Sequence, residues 1–183
     1  MIVRFPGMEE GFPLKGATKS EMVIVAGSTH RGDTFARSER EADALVDHII
    51  NDLRQSGRTA DGFEIMPERA VVCIMQEDEK WPSNHLYVTV NKSNGYGALR
   101  WWTDKVPEGA EGDHISRFIW TSGSPNPPAF DPQLILDPPT PLYYPREAAI
   151  PVAEVREALE EFCRKRTGER PTCISWQLLD QTV

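Results

Sequence analysis

The strongest indication of the fold of this 183-residue chain is the stretch "HLYVTVNKSNGYGALRWW" (residues 85–102). Between Leu86 and Val90 every second residue is apolar, which is the period of a strand that buries one face. Asn94-Gly95 is a dipeptide typical of tight turns, and "YGALRWW" then returns as the partner strand. We therefore expect an antiparallel hairpin here.

A capping box predicts the first helix. Ser38 and Glu41 have the spacing at which each side chain satisfies a backbone amide of the other at a helix start. From Ala42 to Leu53 apolar residues then recur at helical intervals, so one stripe of this helix is expected to be buried. Gly57 is the residue at which we expect the helix to stop.

The second helix is predicted for "VAEVREALEEFCRKR" (residues 152–166). Pro151 stands near its first turn, where a missing amide donor costs little. The apolar residues fall on one face, and basic residues gather at the C-terminal end, where they suit the helix dipole. Gly168 is the expected stop.

Four other runs of β-branched and apolar residues predict strands, at residues 21–27, 69–75, 116–123 and 172–176. Because strands follow strands along the chain, we expect an α+β fold in which two principal helices pack on a mainly antiparallel sheet. Residues 1–20 lack periodicity and are interpreted as a loose N-terminal lead-in. Residues 21–183 are interpreted as a single α+β domain.

Eight prolines fall between Pro125 and Pro145, and each removes an amide donor. This segment therefore cannot be a central strand or a long helix. We expect a long proline-rich crossover loop on the surface, held in place by burial of Leu142, Tyr143 and Tyr144.

Charge and hydropathy limit the kind of partner. The formal net charge is −8 and the pI is about 5.1, so the surface is acidic. Phosphate binding needs a basic face, which argues against nucleic acid as the partner. The acidic balance suits either solubility alone or docking onto a basic protein. No apolar run approaches the roughly 18 residues of a membrane span and no signal peptide is evident, so we expect a cytoplasmic protein.

The sequence carries no motif of a catalytic or metal centre. The histidines are scattered, without HExxH or a metal-ligand spacing to cysteine, and P-loop, GxGxxG and GxSxG patterns are absent. Cys73 and Cys173 fall in predicted strands and Cys163 on the apolar helix face, so all three are interpreted as core residues. We predict no cofactor, no metal and no catalytic residue.

The loop "QEDEKW" is a candidate binding site. Glu77, Asp78 and Glu79 concentrate negative charge beside Trp81, between two predicted strands. Such a cluster is either a solvated surface or an interface in which an acidic rim surrounds an aromatic anchor.

Trp101 and Trp102 point to opposite faces of their strand because they are adjacent. One of them therefore lies off the main core, covered by a helix, by the proline-rich segment or by a partner. Trp102 and the nearby Asp104 are added to the candidate interface.

Several segments resemble family 1 of the immunity proteins of bacterial polymorphic toxin systems. They are "NGYGALRWW", "WTSGSPNPP", "PLYYPREAAIPVAEVREALEEF" and "TGERPTCISWQ". The resemblance covers roughly residues 71–177 and fits the first 70 residues only loosely.

The resemblance implies an α+β antidote that is kept in the producing bacterial cell and binds a secreted toxin domain stoichiometrically. Members are commonly linked to deaminase-type toxins that act on nucleic acid. The resemblance also implies structural roles for the recurring turn, helix-boundary and packing residues Gly95, Gly97, Pro151, Gly168, Pro171 and Trp176.

Two other functions stay open. One is a small cytosolic enzyme that uses a cysteine together with a histidine brought near by folding. The other is a secretion chaperone or adaptor that binds an effector without blocking it. Only an antidote would restore growth to cells that express the toxin.

Overall fold

The computed structural model describes residues 22–104 and 119–178. Two α-helices and a large antiparallel sheet dominate the described residues, which confirms the predicted α+β class. The lead-in predicted for residues 1–20 lies outside the described residues, as do residues 116–118 of one predicted strand.

Eight of the described strands belong to one sheet. In chain order, the described strands are β1 (Val23–Thr29), β2 (Gly32–Ala36), β3 (Gly57–Arg58), β4 (Glu64–Ile65), β5 (Ala70–Gln76), β6 (Asn84–Asn91), β7 (Tyr96–Thr103), β8 (Ile119–Ser122), β9 (Ile135–Asp137), β10 (Leu142–Tyr143), β11 (Ile150–Pro151) and β12 (Trp176–Leu178). The sheet has the order β12-β8-β7-β6-β5-β1-β2, and β11 also pairs with β7. All these pairs are antiparallel, and β3-β4 and β9-β10 form two small separate ribbons.

The hairpin predicted within residues 85–102 is confirmed as β6 and β7. Its pairs run from Asn84 opposite Thr103 to Asn91 opposite Tyr96. Gly95 ends the turn with a φ of +78°, a conformation that glycine adopts without strain. Because β5 flanks one strand and β8 the other, the hairpin occupies the middle of the sheet.

The side chain of Asn84 joins β6 to β5 where their backbone pairing ends. The ladder between the two strands stops at Val72 opposite Leu86. Beyond it, the buried Asn84 amide accepts a hydrogen bond from Ile74 N (2.9 Å) and donates one to Ile74 O (2.7 Å). One side chain thus satisfies two strand backbone groups that the ladder leaves unpaired.

Helix α1 (Glu39–Asp52) begins as predicted but ends earlier. Glu41 N donates to Ser38 Oγ (3.3 Å) and Ser38 N donates to Glu41 Oε2 (3.0 Å), so the capping box is present. The stop expected at Gly57 is wrong. Leu53 leaves the helical conformation and buries its side chain in the core, and Gly57 belongs to β3.

Helix α2 (Val152–Lys165) follows Pro151, which is its N-cap residue. The stop expected at Gly168 is wrong, because Arg166 already ends the helix in the left-handed conformation with a φ of +52°. The Arg166 guanidinium donates to Val23 O (2.9 Å), which fixes the end of the helix to the start of β1.

Both helices pack on one face of the sheet. Alternate residues of the central strands point into this core, including Leu86, Val88 and Val90 as the alternation predicted. Phe162 and Leu159 of α2 and several aliphatic residues of α1 face them. Burial of each large apolar side chain contributes about 1.5–3 kcal/mol, so this face supplies much of the stability.

Part of the segment between β8 and α2 packs on the opposite face. Leu134, Tyr144, Ala148 and Ala149 form a buried cluster with Ala98 of β7. The expected burial of Tyr144 is therefore confirmed.

The expected burial of Leu142 and Tyr143 is wrong, because these residues are 49% and 39% exposed. They form β10, whose partner among the described strands is the short β9. This ribbon stands apart from the large sheet, and the proline content of the segment gave no indication of it.

We expect Gly97→Ala to destabilise the protein by about 1–3 kcal/mol. Gly97 lies within β7 rather than in the turn, and an added Cβ would lie 2.7 Å from Thr89 O and 2.9 Å from Val155 Cγ2. The backbone carbonyl cannot move without breaking the hairpin. Urea unfolding measures the loss.

The control is Gly57→Ala, where the nearest atom would be 4.0 Å away, and its expected change is below about 0.5 kcal/mol. Equal losses in both variants would contradict this packing argument.

Candidate functional site

The acidic loop and the end of β7 meet at one end of the sheet. Asp104 N donates to Ser83 O (3.0 Å), and the Thr103 hydroxyl donates to the same carbonyl (3.0 Å). The loop residues 77–81 are separated from Ser83 by Pro82 alone. We call this group the acidic end; its members are Glu77, Asp78, Glu79, Trp81 and Asp104.

The three acids of the loop have different surroundings. Glu77 pairs with the Arg37 guanidinium (2.8 Å). Glu79 accepts a hydrogen bond from Gln76 N (2.8 Å) and so holds the turn that opens the loop. Asp78 is exposed and has no ion-pair partner among the described residues. Asp78 therefore carries the charge that the loop can offer to another molecule.

Trp81 and Asp104 complete this surface. The Trp81 side chain is 55% exposed, which is unusual for so large an apolar group. Asp104 is exposed too. An exposed indole in a loop with exposed carboxylates suits an anchor that enters a pocket of a basic partner.

Trp102 lies on the sheet face opposite the helices. Its ring centroid is 5.2 Å from that of His85, the residue paired with it on β6. Trp101, in contrast, is 9% exposed and belongs to the core on the helix side. The prediction that the two tryptophans face opposite sides is confirmed.

The face that carries Trp102 also carries two arginines that sequence reasoning missed. The guanidinium carbons of Arg69 and Arg100 lie 4.5 and 4.3 Å from the ring centroid of Tyr87, which are cation–π distances. The Tyr87 ring in turn lies 5.8 Å from that of His85. The strand alternation was the available signal, since Arg100 and Trp102 must share a face of β7.

Burial shapes the charges on this face. Burial lowers the pKa of His85 to about 4, so this ring is neutral at physiological pH. Burial also lowers the pKa of Arg69, and the neighbouring charge of Arg100 acts in the same direction. The Arg69 guanidinium nevertheless keeps its charge at neutral pH.

The segment 167–177, which carries part of the family resemblance, is hydrogen-bonded to the sheet. Trp101 Nε1 donates to Gly168 O (3.0 Å), and Trp176 Nε1 donates to Pro171 O (2.7 Å). A Cβ on Gly168 would lie 2.5 Å from the Asn84 amide nitrogen, so this position has room only for glycine. These contacts hold the segment after α2 against the sheet.

Arg170 lies among three tryptophans on the helix side. Its guanidinium carbon is 4.0 Å from the ring centroid of Trp120, 5.9 Å from that of Trp101 and 5.8 Å from that of Trp176. Burial lowers the pKa of Arg170. The arginine therefore packs strands β7, β8 and β12 together by stacking.

Cys173 is exposed, so its predicted place in a strand and in the core is wrong. Strand β12 begins only at Trp176, and the preceding bend is held by Glu161, whose carboxylate accepts hydrogen bonds from Thr172 N and Cys173 N (both 2.9 Å). Burial alone raises the pKa of Glu161, but hydrogen bonds from Lys165, Cys173 and Thr172 outweigh it and hold that pKa well below its usual range.

The three thiols are poorly suited to nucleophilic chemistry. Cys73 and Cys163 are buried as expected, and burial raises the pKa of each to about 12. Burial followed by the hydrogen bond and charge of Glu161 raises the pKa of Cys173 to about 12 as well. Because the thiolate is the reactive form, none of these cysteines is activated.

Two histidines outside this surface are each engaged by a carboxylate. His30 contacts Glu68, and His48 Nδ1 lies 2.9 Å from Asp52. Within residues 22–104 and 119–178, no cluster of three or more His, Cys, Asp or Glu side chains could hold a metal ion. None of the helices described there is long and apolar enough to cross a membrane.

The family model described as Immunity protein Imm1 matches residues 30–178, most of the chain. The match begins well before residue 71, where the resemblance between the quoted segments and the family begins, and it includes α1 as well as the hairpin and α2. No curated protein and no solved structure matches the chain.

We expect iodoacetamide at about pH 8 to alkylate Cys173 at least about tenfold more slowly than an ordinary exposed cysteine, because its raised pKa leaves little thiolate. Glu161→Gln removes the neighbouring charge and should speed the reaction. Peptide mass spectrometry follows each thiol separately. The buried Cys73 and Cys163 should react only after unfolding in urea. Fast alkylation of Cys173 in the unaltered protein would contradict this account.

Proposed function

The chain belongs to the Imm1 family of immunity proteins, and from this we propose that it binds the toxin domain of a secreted protein and neutralises it in the cytoplasm of the producing bacterium. The partner is then a protein, and the binding needs neither a cofactor nor a metal.

We propose that the acidic end is the surface that contacts the toxin. The observation that carries this is the exposure of Trp81 in the same loop as the exposed Asp78, with the exposed Asp104 joined to the end of that loop through Ser83. Trp102 borders the same end of the sheet and would extend the contact onto the face opposite the helices. Carboxylates at the rim speed association with a basic surface, and a large aromatic group at the centre slows dissociation.

The charge pattern of this chain supports a toxin that acts on nucleic acid. Such a toxin needs a basic cleft to hold phosphate groups. A chain with a net charge of −8 and with exposed carboxylates and an exposed indole at one end of the sheet could occupy that cleft. We therefore propose a nucleic-acid-targeting toxin as the partner, and the family resemblance described above implies the deaminase type.

The two competing functions have less support. A cysteine-dependent enzyme needs an activated thiol, and the raised pKa values of Cys73, Cys163 and Cys173 work against one. An adaptor could use the same acidic end, so only its effect on the toxin distinguishes it from an antidote.

Co-expression tests the proposed function. The partner is the C-terminal domain of a secreted protein encoded beside this chain. We expect that domain alone to stop bacterial growth and this chain to restore it, with a stable complex recovered on size-exclusion chromatography. A stable complex in cells that still die would indicate an adaptor and overturn the proposal.

Substitutions at the acidic end test the surface. We expect Trp81→Ala to weaken toxin binding about tenfold or more, mainly through faster dissociation. Asp78→Lys and Asp104→Lys should mainly slow association, with a larger effect at low salt. Surface plasmon resonance measures both rates.

The matched control is Glu157→Lys, the same kind of charge reversal on the exposed face of α2. It should change the association rate by less than about twofold. If Glu157→Lys and Asp78→Lys slow association equally, total charge rather than the acidic end determines the encounter, and the proposed surface is wrong.

A further inference from the structure

Strand β2 is at one edge of the large sheet. It is the last strand in the sheet order, and its partner among the described strands is β1. In an antiparallel strand every second residue directs its N–H and C=O away from the neighbouring strand, so an edge strand offers these groups to another strand. Gly32, Thr34 and Phe35 are exposed, which makes this edge accessible.

The length and the side chains of β2 favour this edge over the opposite one. Strand β12, at the other end of the described sheet, has three residues, whereas β2 has five. Proteins commonly protect edge strands by shortness, by proline or by charge. Strand β2 contains no proline and leaves Phe35 38% exposed. An accessible edge with an exposed aromatic ring is suited to pairing with a further strand.

The side chains of β2 alternate between the two faces of the sheet. Ala36 belongs to the core on the helix side. Its neighbour Phe35 therefore points to the other face, where it lies opposite Ala26. Asp33 shares that face, and Arg37 follows two residues after Phe35. A negative residue, an aromatic ring and a positive residue thus come in order at alternate positions.

We propose that two copies of this chain pair through β2, antiparallel and across a twofold axis at Phe35. In this register the two Phe35 rings lie opposite each other. Asp33 of each copy lies opposite Arg37 of the other, so the twofold axis makes this ion pair twice. Aromatic pairs and opposite charges are the cross-strand neighbours that stabilise antiparallel sheets. On the helix side, Thr34 lies opposite Ala36, and both side chains are small.

Charge selects this register over the neighbouring one. With the axis at Thr34 instead, Arg31 of each copy would lie opposite Arg37 of the other. Like charges directly opposite each other are destabilising. Asp33 would then lie opposite Phe35 and lose its ion pair. The order of residues in β2 therefore favours the axis at Phe35.

The Arg37 guanidinium can meet a second carboxylate. It is 51% exposed and contacts Glu77 through Nε (2.8 Å). The two terminal nitrogens carry donors that this contact does not use. The backbone N–H of Arg37 donates to Glu41 (2.7 Å), so the backbone pairing between the copies is expected to end before this residue. Beyond that point the two copies are joined by side chains.

The shortness of β2 and the charge of the chain make this a weak association. Each copy has a net charge of −8, and two such copies repel each other at long range. Salt at about 0.15 M screens that repulsion over roughly 8 Å, while the close pairs across the axis are less affected. We therefore expect a dissociation constant on the order of 10 µM.

Sedimentation velocity of the full chain alone tests the pairing. We expect a monomer at about 1 µM and mostly dimer at about 200 µM. Asp33→Arg and Arg37→Asp each place like charges opposite one another on both sides of the axis. Either variant alone should therefore weaken the dimer at least about tenfold. Urea unfolding of each variant reports stability separately.

An equal mixture of the two variants is the sharper experiment. In a dimer of one Asp33→Arg copy and one Arg37→Asp copy, both pairs again have opposite charges. The mixture should therefore dimerise within about threefold of the unaltered chain. The controls are Glu157→Arg and Arg164→Asp, the same reversals at exposed positions of α2. Each control alone should dimerise within about twofold of the unaltered chain.

Three outcomes would overturn the pairing through β2. One is an unaltered chain that stays monomeric at about 200 µM. Another is a dimer that neither variant at β2 weakens more than its control. The third is a pair of folded variants that remain monomeric when mixed. Each of these results leaves the proposed function standing, because that function is tested by co-expression with the toxin.

Discussion

The two hydrogen bonds between the Asn84 amide and the backbone of Ile74 are the contact on which the rest of the arrangement depends. They continue the link between β5 and β6 after the ladder has stopped, and so set where the acidic end leaves the sheet. Gly168 packs against the same amide, and the Gly168 carbonyl accepts the indole hydrogen of Trp101. One buried amide therefore ties the central hairpin, the loop after β5 and the segment after α2 to one another.

Local patterns predicted the parts of the fold whose causes are local. The hairpin follows from period-two alternation and a turn dipeptide, and the start of α1 from two side chains that satisfy each other's amides. The helix ends were misjudged because burial of Leu53 and the tertiary hydrogen bonds of Arg166 decide them before the expected glycines are reached. Cys173 was misplaced for a similar reason, since Glu161 of α2 holds the chain in a bend where alternation predicted a strand.

The candidate site could be predicted only in part. Its acidic residues are adjacent in sequence, so composition pointed to them. Their division into a paired Glu77, a turn-holding Glu79 and an available Asp78 depends on Arg37 and on local backbone geometry that composition does not carry. The stacking of Arg69 and Arg100 on Tyr87 was missed because the three residues lie far apart in the sequence and meet only through strand register.

Successive residues of β6 and β7 point to opposite faces of the sheet. Selection for core packing and selection for surface recognition therefore act on alternate residues of one stretch of sequence. Residues that point toward the helices can stay fixed by packing, while their immediate neighbours on the other face can change without disturbing that core. Under the proposed function, recognition of a changed toxin can be altered one residue at a time, at interleaved positions of this hairpin. Comparing substitution rates at odd and even positions of the hairpin among relatives would therefore show which face has followed the toxin.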